Sequence, residues 1–372
     1  MKGSNPKPNP YVGPRAFKTG EKLYGRNREE REILDLLIAE RIVLLHSPSG
    51  AGKSSLVQAG LIPQLIENGF LVYPVVRVNQ EPPPDLVKGE KFNRYIFSVL
   101  LSLEEVLPEE RRTPVEKLIA LNLEDCLTEH LPKIQSPDEP NGDSIVLIFD
   151  QFEEVLTVDG TDREVKLDFF SQLGKALRDR HRWAMFVMRE DYLPALDPFI
   201  RPIPTRLANT YRLDFLAVDA ARQAIHQPAH EVGVHFSYPA VNKLVNDLRL
   251  VQVQQPDGSM SVAPGPYVEP VQLQVVCSNL WSHLPDDIEQ ITEEEISAVG
   301  NVDQSLSEYY AERVAAIARR TGVREREIRE WFERHLITET GIRGQVLMGK
   351  GESEGVSNET PAKATRLTLS PV

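Results

Sequence analysis

Residues 47 to 55 read SPSGAGKSS, and their types and order suit one task, the holding of phosphate groups. In the pattern Gly-x-x-x-x-Gly-Lys-Ser/Thr, successive backbone N–H groups turn inward onto phosphate oxygens. The helix that follows adds its positive N-terminal end. Here Ser49, Gly50, Ala51 and Gly52 make the loop, with Gly50 and Gly52 supplying the backbone freedom it needs. Lys53 would contact the β- and γ-phosphates of a nucleotide, the Ser54 hydroxyl would coordinate Mg²⁺, and Ser55 completes the run. Ser47 stands where the pattern has its first glycine, and serine tolerates unusual backbone angles less well. The plainer alternative is a glycine-rich turn that only links a strand to a helix.

A second constellation lies in SIVLIFDQFEEV, residues 144 to 155. Asp150 ends a run of apolar residues, as a Walker B aspartate does, and would hold Mg²⁺. Glu153 and Glu154 follow, and a carboxylate there could orient or deprotonate an attacking water. Which of the two is the base stays open. An acidic, solvated helix start is the alternative for both, since carboxylates favour helix N-termini. Arg189, in FVMREDY, ends a later apolar run. It could reach the γ-phosphate and report its presence, or simply pair with Glu190 or Asp191.

The elements that must position these groups alternate. Ile33, Leu36 and Leu37 share a face of a helix over 28–40, and Ile42–Leu45 reads as a buried strand running into the loop. A helix starts near Lys53. Strands follow at Leu71–Val78, Ile145–Phe149 and Trp183–Met188, with helical patterns over 93–106, 114–134 and 163–181. In the last of these Phe169, Phe170, Leu173 and Leu177 face inward. This alternation predicts an α/β fold, a P-loop NTPase parallel sheet with helices on both faces.

Beyond about residue 213 the texture changes. Asp219 can cap a helix reaching about His230, further helices fit 239–250 and 271–284, and a loop or hairpin fits 251–268. This stretch reads as all-helical. Helices near 303–320 and 324–336, then the alternating GIRGQVLMG, fit a winged-helix module. The expected domains are an extended segment over 1–23, the P-loop NTPase over 24–213, a helical lid over 214–290 and the winged helix over 291–372. Residues 350 to 364 read as a linker or a long wing.

The bulk numbers narrow the class. The 372 residues suit two or three domains, and no apolar run approaches the roughly 20 residues that span a bilayer. The polar, proline-rich start is neither a secretory signal nor a transit peptide. Two cysteines, Cys126 and Cys277, suggest neither a disulfide framework nor a metal site, and point to a cytoplasmic setting. A net charge of −13 argues against nucleic-acid binding through the whole surface.

In order and spacing, NPYVGPRAF, LYGRNREEREIL, LLHSPSGAGKSSLVQAGLIPQL, VLIFDQFEEV and FVMREDYL resemble the novel STAND NTPases. These are relatives of AAA+ proteins and of the NACHT and NB-ARC switches. The likeness is good over about residues 10 to 215 and weaker beyond. It implies that Tyr24, Gly25 and Arg26 pack near an adenine, and that Lys53, Ser54 and Ser55 are the phosphate loop. It also implies that Asp150 is the Mg²⁺ aspartate, with Glu153–Glu154 the acidic pair and Arg189 the arginine after the fourth core strand. Pro270, in VEPVQLQVV, resembles the helical-domain proline beside the nucleotide, though a helix-start proline is the equal alternative.

The resemblance further implies an ATP/ADP switch: a slow ATPase that opens and self-associates on activation, in signalling or antiviral defence. A sensor or effector would sit on a separate partner or on a longer chain of which this is a fragment. The competing expectation is an AAA+ DNA-handling ATPase with a DNA-binding winged helix. Against it, the segment VREREIREWFERH balances Arg324, Arg326, Arg329 and Arg334 with Glu325, Glu327, Glu330 and Glu333, whereas phosphate binding needs a net positive face. Direct nucleic-acid and membrane binding are therefore not expected. No guanine-reading Asn-Lys-x-Asp motif occurs.

Overall fold

The structure is a computed structural model that describes residues 7–80, 92–105, 107–130, 144–157, 161–255, 258–299, 302–335, 352–353 and 356–357. The chain divides into two compact units. One combines Arg28–Ser49 with Val57–Asp214; the other combines Met1–Asn27, Gly50–Leu56 and Phe215–Val372.

The first unit is built on a parallel five-stranded sheet. Its strands are β1 (Ile42–Ser47), β2 (Leu71–Val72), β3 (Ile145–Phe149), β4 (Arg182–Arg189) and β5 (Thr210–Arg212), in the order β2-β3-β4-β1-β5. Near-continuous Val, Ile, Leu and Phe runs suit strands covered on both faces; Val43, Leu45, Leu147, Ile148 and Val187 are all fully buried. Flanking helices include Arg94–Glu104 and Arg163–Ala176. Asn93 starts the first of these by accepting hydrogen bonds from the N–H groups of Tyr95 and Ile96. Phe169, Phe170, Leu173 and Leu177 are buried as their spacing predicts, and so are Ile33 and Leu37, while Leu36 is half-buried.

Two expected elements in this unit are shorter than the apolar pattern suggests. The run 71–78 is regular strand only at Leu71–Val72, because Pro74 has no N–H to donate. The segment nonetheless follows β3: Tyr73 N–H donates to Val146, Val76 N–H to Ile148, and Asp150 N–H to Val76. The 114–134 pattern breaks into Val115–Leu118 and Leu123–Asp125, the latter running on as a π-helical stretch, Cys126–His130, since Asn122 accepts from Asp125 N–H and starts a new helix. Residues 131–134 lie outside the described residues.

The second unit is not all-helical. Its helices Val218–Glu231, Tyr238–Leu248, Pro270–His283 and Glu293–Val299 are joined by short strand pairs. Numbered in chain order, these strands are β6 (Leu216–Ala217), β7 (His235–Phe236), β8 (Leu250–Gln254), β9 (Met260–Pro264), β10 (Tyr267–Val268) and β11 (Gln290–Ile291). β6 pairs with β10, β7 with β11, and β8 with β9 as a hairpin. The cap of the first helix also differs from expectation. Ala217 is its N-cap, and Asp219 instead pairs with Arg222 at 2.5 Å. Leu216, Ile225, Leu244, Leu273 and Leu280 share the core of this unit.

Further on, Val302–Thr321 and Glu325–His335 pack through Val314, Ile317 and Ile328. Within the 350–364 stretch, β12 (Glu352–Ser353) and β13 (Val356–Ser357) pair antiparallel. The GIRGQVLMG run lies outside the described residues. Cys126 and Cys277 are buried free thiols, and no described helix is long and apolar enough to cross a membrane.

Candidate nucleotide site

The phosphate loop has the backbone its glycines promise. Gly50 and Gly52 hold φ of 82° and 86°, in the left-handed region that favours glycine. Gly52 starts the helix Lys53–Ser55, which continues as a π-helical turn, Leu56–Leu61. Arg26, buried, donates from Nη2 to the Ala51 carbonyl at 3.0 Å, so a fixed cation braces the loop from behind. Ser55 Oγ accepts from Phe17 N–H at 3.2 Å. Ser54 and Ser55 are buried; Lys53 is half-buried and Ser49 is exposed. Ser47, the departure from the usual pattern, is the last residue of β1. It has ordinary extended backbone there, so no glycine is needed at that point.

A recess of about 570 Å³, most of it open to solvent, lies beside this loop. Ala51, Gly52 and Ser55 line one end, and Tyr24 and Arg26 line a wall. Phe17, Leu216 and Leu273 give it apolar surface, and Arg15 and Gln274 supply polar groups. Gly25, with φ of 82°, permits the close approach of this wall to the helix Val218–Glu231: a Cβ on it would stand 2.4 Å from the Ala220 carbonyl oxygen. Tyr24 faces Glu231, which also pairs with Lys22 at 2.5 Å. Pro270 lines the recess and stands 3.8 Å from where a Cβ of Gly52 would be. It is also the first residue of its helix.

In the sheet unit, the parallel register sets Ser47 opposite Arg189, and Asp150 follows the last residue of β3. Ser47, Asp150 and Arg189 therefore share the carboxyl edge of one sheet, where open α/β sheets bind ligands. Asp150 is almost fully buried, and Arg77 meets it, Nη2 to Oδ2 at 3.1 Å. Gln151, at φ of 52°, turns the chain sharply and donates its N–H to Asp150 Oδ1. Phe152 is the anchor of the turn. It is fully buried, with ring centroids 4.8 Å from Phe186 and 5.8 Å from Phe149. A Phe152→Ala chain is expected to lose about 3–5 kcal/mol of stability, measured by denaturant unfolding.

The acidic pair divides. Glu153 Oε2 accepts from Arg189 N–H at 3.3 Å. Glu154 Oε2 is buried with no hydrogen-bond partner, and so is Arg77 Nη1. Burial pushes the Glu154 carboxyl up to about 7, opposed by Arg77 and reinforced by Glu153 and Asp150. The folded protein therefore holds this proton more tightly than the unfolded chain. The resulting stability is fully present below pH about 4.5 and is lost as pH rises to about 7, a change on the order of 3 kcal/mol. Denaturant midpoints of wild type and Glu154→Gln without nucleotide should therefore diverge across that window, with the wild type falling. Arg189 is held by Asp191, with Nη2 to Oδ2 at 2.5 Å, and lies over the Tyr192 ring.

Buried polar atoms of both signs without partners, beside a strand-end aspartate, fit a site that completes itself with a metal-bound phosphate. The left-handed glycines at 50 and 52 fit the phosphates. Two participants escape sequence reasoning: Arg77 and Gln151. Arg77 belongs to no motif; the only hint is a cation where the second apolar run ends.

The sequence matches the family description "Novel STAND NTPase 1" over residues 10–344. The chain belongs to the novel STAND NTPase 1 family. No curated protein matches it. Among solved structures, this STAND NTPase is similar to the Walker-type ATPase PabY2304 of Pyrococcus abyssi (15% identity, 87% of this chain and 80% of that one, TM-score 0.47). It is also similar to the ADP form of the ORC2 protein of Aeropyrum pernix (14%, 94% and 87%, 0.48) and to a mutant RuvB from Thermotoga maritima (14%, 89% and 94%, 0.41). The sheet is parallel, with flanking helices.

Proposed function

We propose that this STAND NTPase is a nucleotide-driven switch that binds Mg²⁺-ATP and ADP, hydrolyses ATP slowly and couples nucleotide state to conformation and self-association. The observation that carries the reading is the braced phosphate loop, with Arg26 on the Ala51 carbonyl and the loop opening into a recess walled by Tyr24 and Pro270. The loop N–H groups and Lys53 would hold the phosphates, and the recess would take the base, adenine by family likeness. Ser54 and Asp150 would hold Mg²⁺, which when bound neutralises phosphate charge. Glu154 fits the general base better than Glu153, because its carboxyl lies near neutrality and has an oxygen to spare. Arg189 would sense the γ-phosphate on release from Asp191.

Residues 214–290 act as the lid and 291–372 as a winged-helix module in this reading, and a sensor or effector acts in trans or on a longer chain. The signal would belong to cellular signalling or defence. The DNA-handling alternative gains no support from helix Glu325–His335, whose arginines are taken up by its own glutamates: Arg326 pairs with Glu330 at 2.7 Å and Arg329 with Glu325 at 3.6 Å. The test is turnover. Purified chain should hydrolyse ATP above the background of an Asp150→Ala variant; equal rates would reject the ATPase part of the reading.

A further inference from the structure

Glu269 sits where a phosphate site would not be expected to keep a carboxylate. A Cβ built on Gly50 would stand 2.5 Å from Glu269 Oε1 and 3.3 Å from its carboxyl carbon, so the acid lies directly against the phosphate loop. Glu269 is the N-cap of helix Pro270–His283, yet its side chain caps nothing there. Its Oε2 accepts from Gln272 Nε2 at 2.8 Å, which leaves Oε1 as the atom nearest Gly50. The next residues of the same helix, Pro270, Val271, Leu273 and Gln274, line the recess. One short segment therefore touches the loop with a carboxyl and walls the recess with its continuation.

A loop built to attract anions has a carboxyl held beside it; burial pushes this carboxyl up, opposed by the Gln272 hydrogen bond, and in its charged form its opposition grows with the charge that the loop must hold. We propose that Glu269 is a phosphate-counting specificity residue, which weakens binding of nucleotides in proportion to their phosphate charge and so disfavours the triphosphate relative to the diphosphate. The inference rests on the nucleotide reading of the loop. It also gives phosphates a lever: a ligand that repels Glu269 pushes on the start of the helix that walls the recess.

The test is a set of dissociation constants for adenosine, AMP, ADP and ATP, all measured without Mg²⁺, on wild type, Glu269→Gln and Glu269→Asp. Glu269→Gln keeps the shape and removes the charge. It should leave adenosine unchanged and tighten binding stepwise with phosphate charge, to about tenfold for the most charged ligand. Glu269→Asp keeps the charge and should retain the wild-type ordering. Hydrogen exchange at 271–274 should slow in ADP-bound Glu269→Gln relative to ADP-bound wild type. A ratio of wild type to Glu269→Gln that is flat from adenosine to ATP would overturn the inference while leaving nucleotide binding intact. Failure of the wild type to bind any phosphorylated ligand would remove the nucleotide reading and the inference with it.

Discussion

A Lys53→Ala chain is expected to bind ATP and ADP far more weakly than the wild type while folding normally. Lys53 is half-buried at the head of a helix whose turn is closed by backbone, Leu56 N–H to the Gly52 carbonyl at 2.9 Å, a bond that does not use its side chain. Its cost should appear in binding. Truncating one partner of a charge-assisted, partly buried contact removes about 2–5 kcal/mol, or roughly 30- to 4,000-fold in Kd. A fluorescent-nucleotide titration measures this directly, with circular dichroism and thermal unfolding as controls. An unchanged Kd would show that SPSGAGKSS is only a turn between strand and helix.

The second large effect concerns hydrolysis. Replacing Glu153 and Glu154 together by glutamine should lower ATP turnover by about 10²–10⁴-fold, the contribution of a positioned general base, while ATP remains bound. The two single variants should differ. Glu154 has a buried oxygen without a partner and a carboxyl near neutrality, whereas Glu153 accepts from the Arg189 backbone. Glu154→Gln should therefore account for most of the loss, with Glu153→Gln altering chiefly the position of Arg189. Single-turnover assays with labelled ATP separate the cases. Equal losses in both single variants would mean that the pair acts as a unit.

The parts legible in sequence are those in which one physical requirement leaves one pattern. Buried parallel strands need continuous apolar runs, and Ile145–Phe149 coincides with its run. A phosphate loop needs left-handed backbone, and Gly50 and Gly52 are the residues that adopt it. Elements fixed by single local contacts are not legible in this way. Pro74 interrupts β2 although the apolar run continues, and Asn122 restarts a helix that periodicity alone would carry through. The hairpin Leu250–Pro264 falls where a loop or hairpin is expected, whereas Leu216–Ala217, His235–Phe236 and Gln290–Ile291 are two-residue strands too short to show an alternation, so a region with helical texture contains strands. In the site, Arg77 and Glu269 act through partners distant in sequence, Asp150 and Gly50, and no local pattern marks them. Ser47 is the opposite case. As a motif residue it reads as a defect, but its place at the end of β1 asks nothing of it that serine cannot give.

The central claim is that nucleotide state drives conformation and assembly. Sedimentation velocity of the Glu153→Gln/Glu154→Gln chain, loaded to saturation with ADP or with Mg²⁺-ATP, tests it most directly. A nucleotide-driven switch should give a single slow species with ADP and a faster, concentration-dependent one with ATP. Indistinguishable profiles under both nucleotides, with binding confirmed in each, would contradict it.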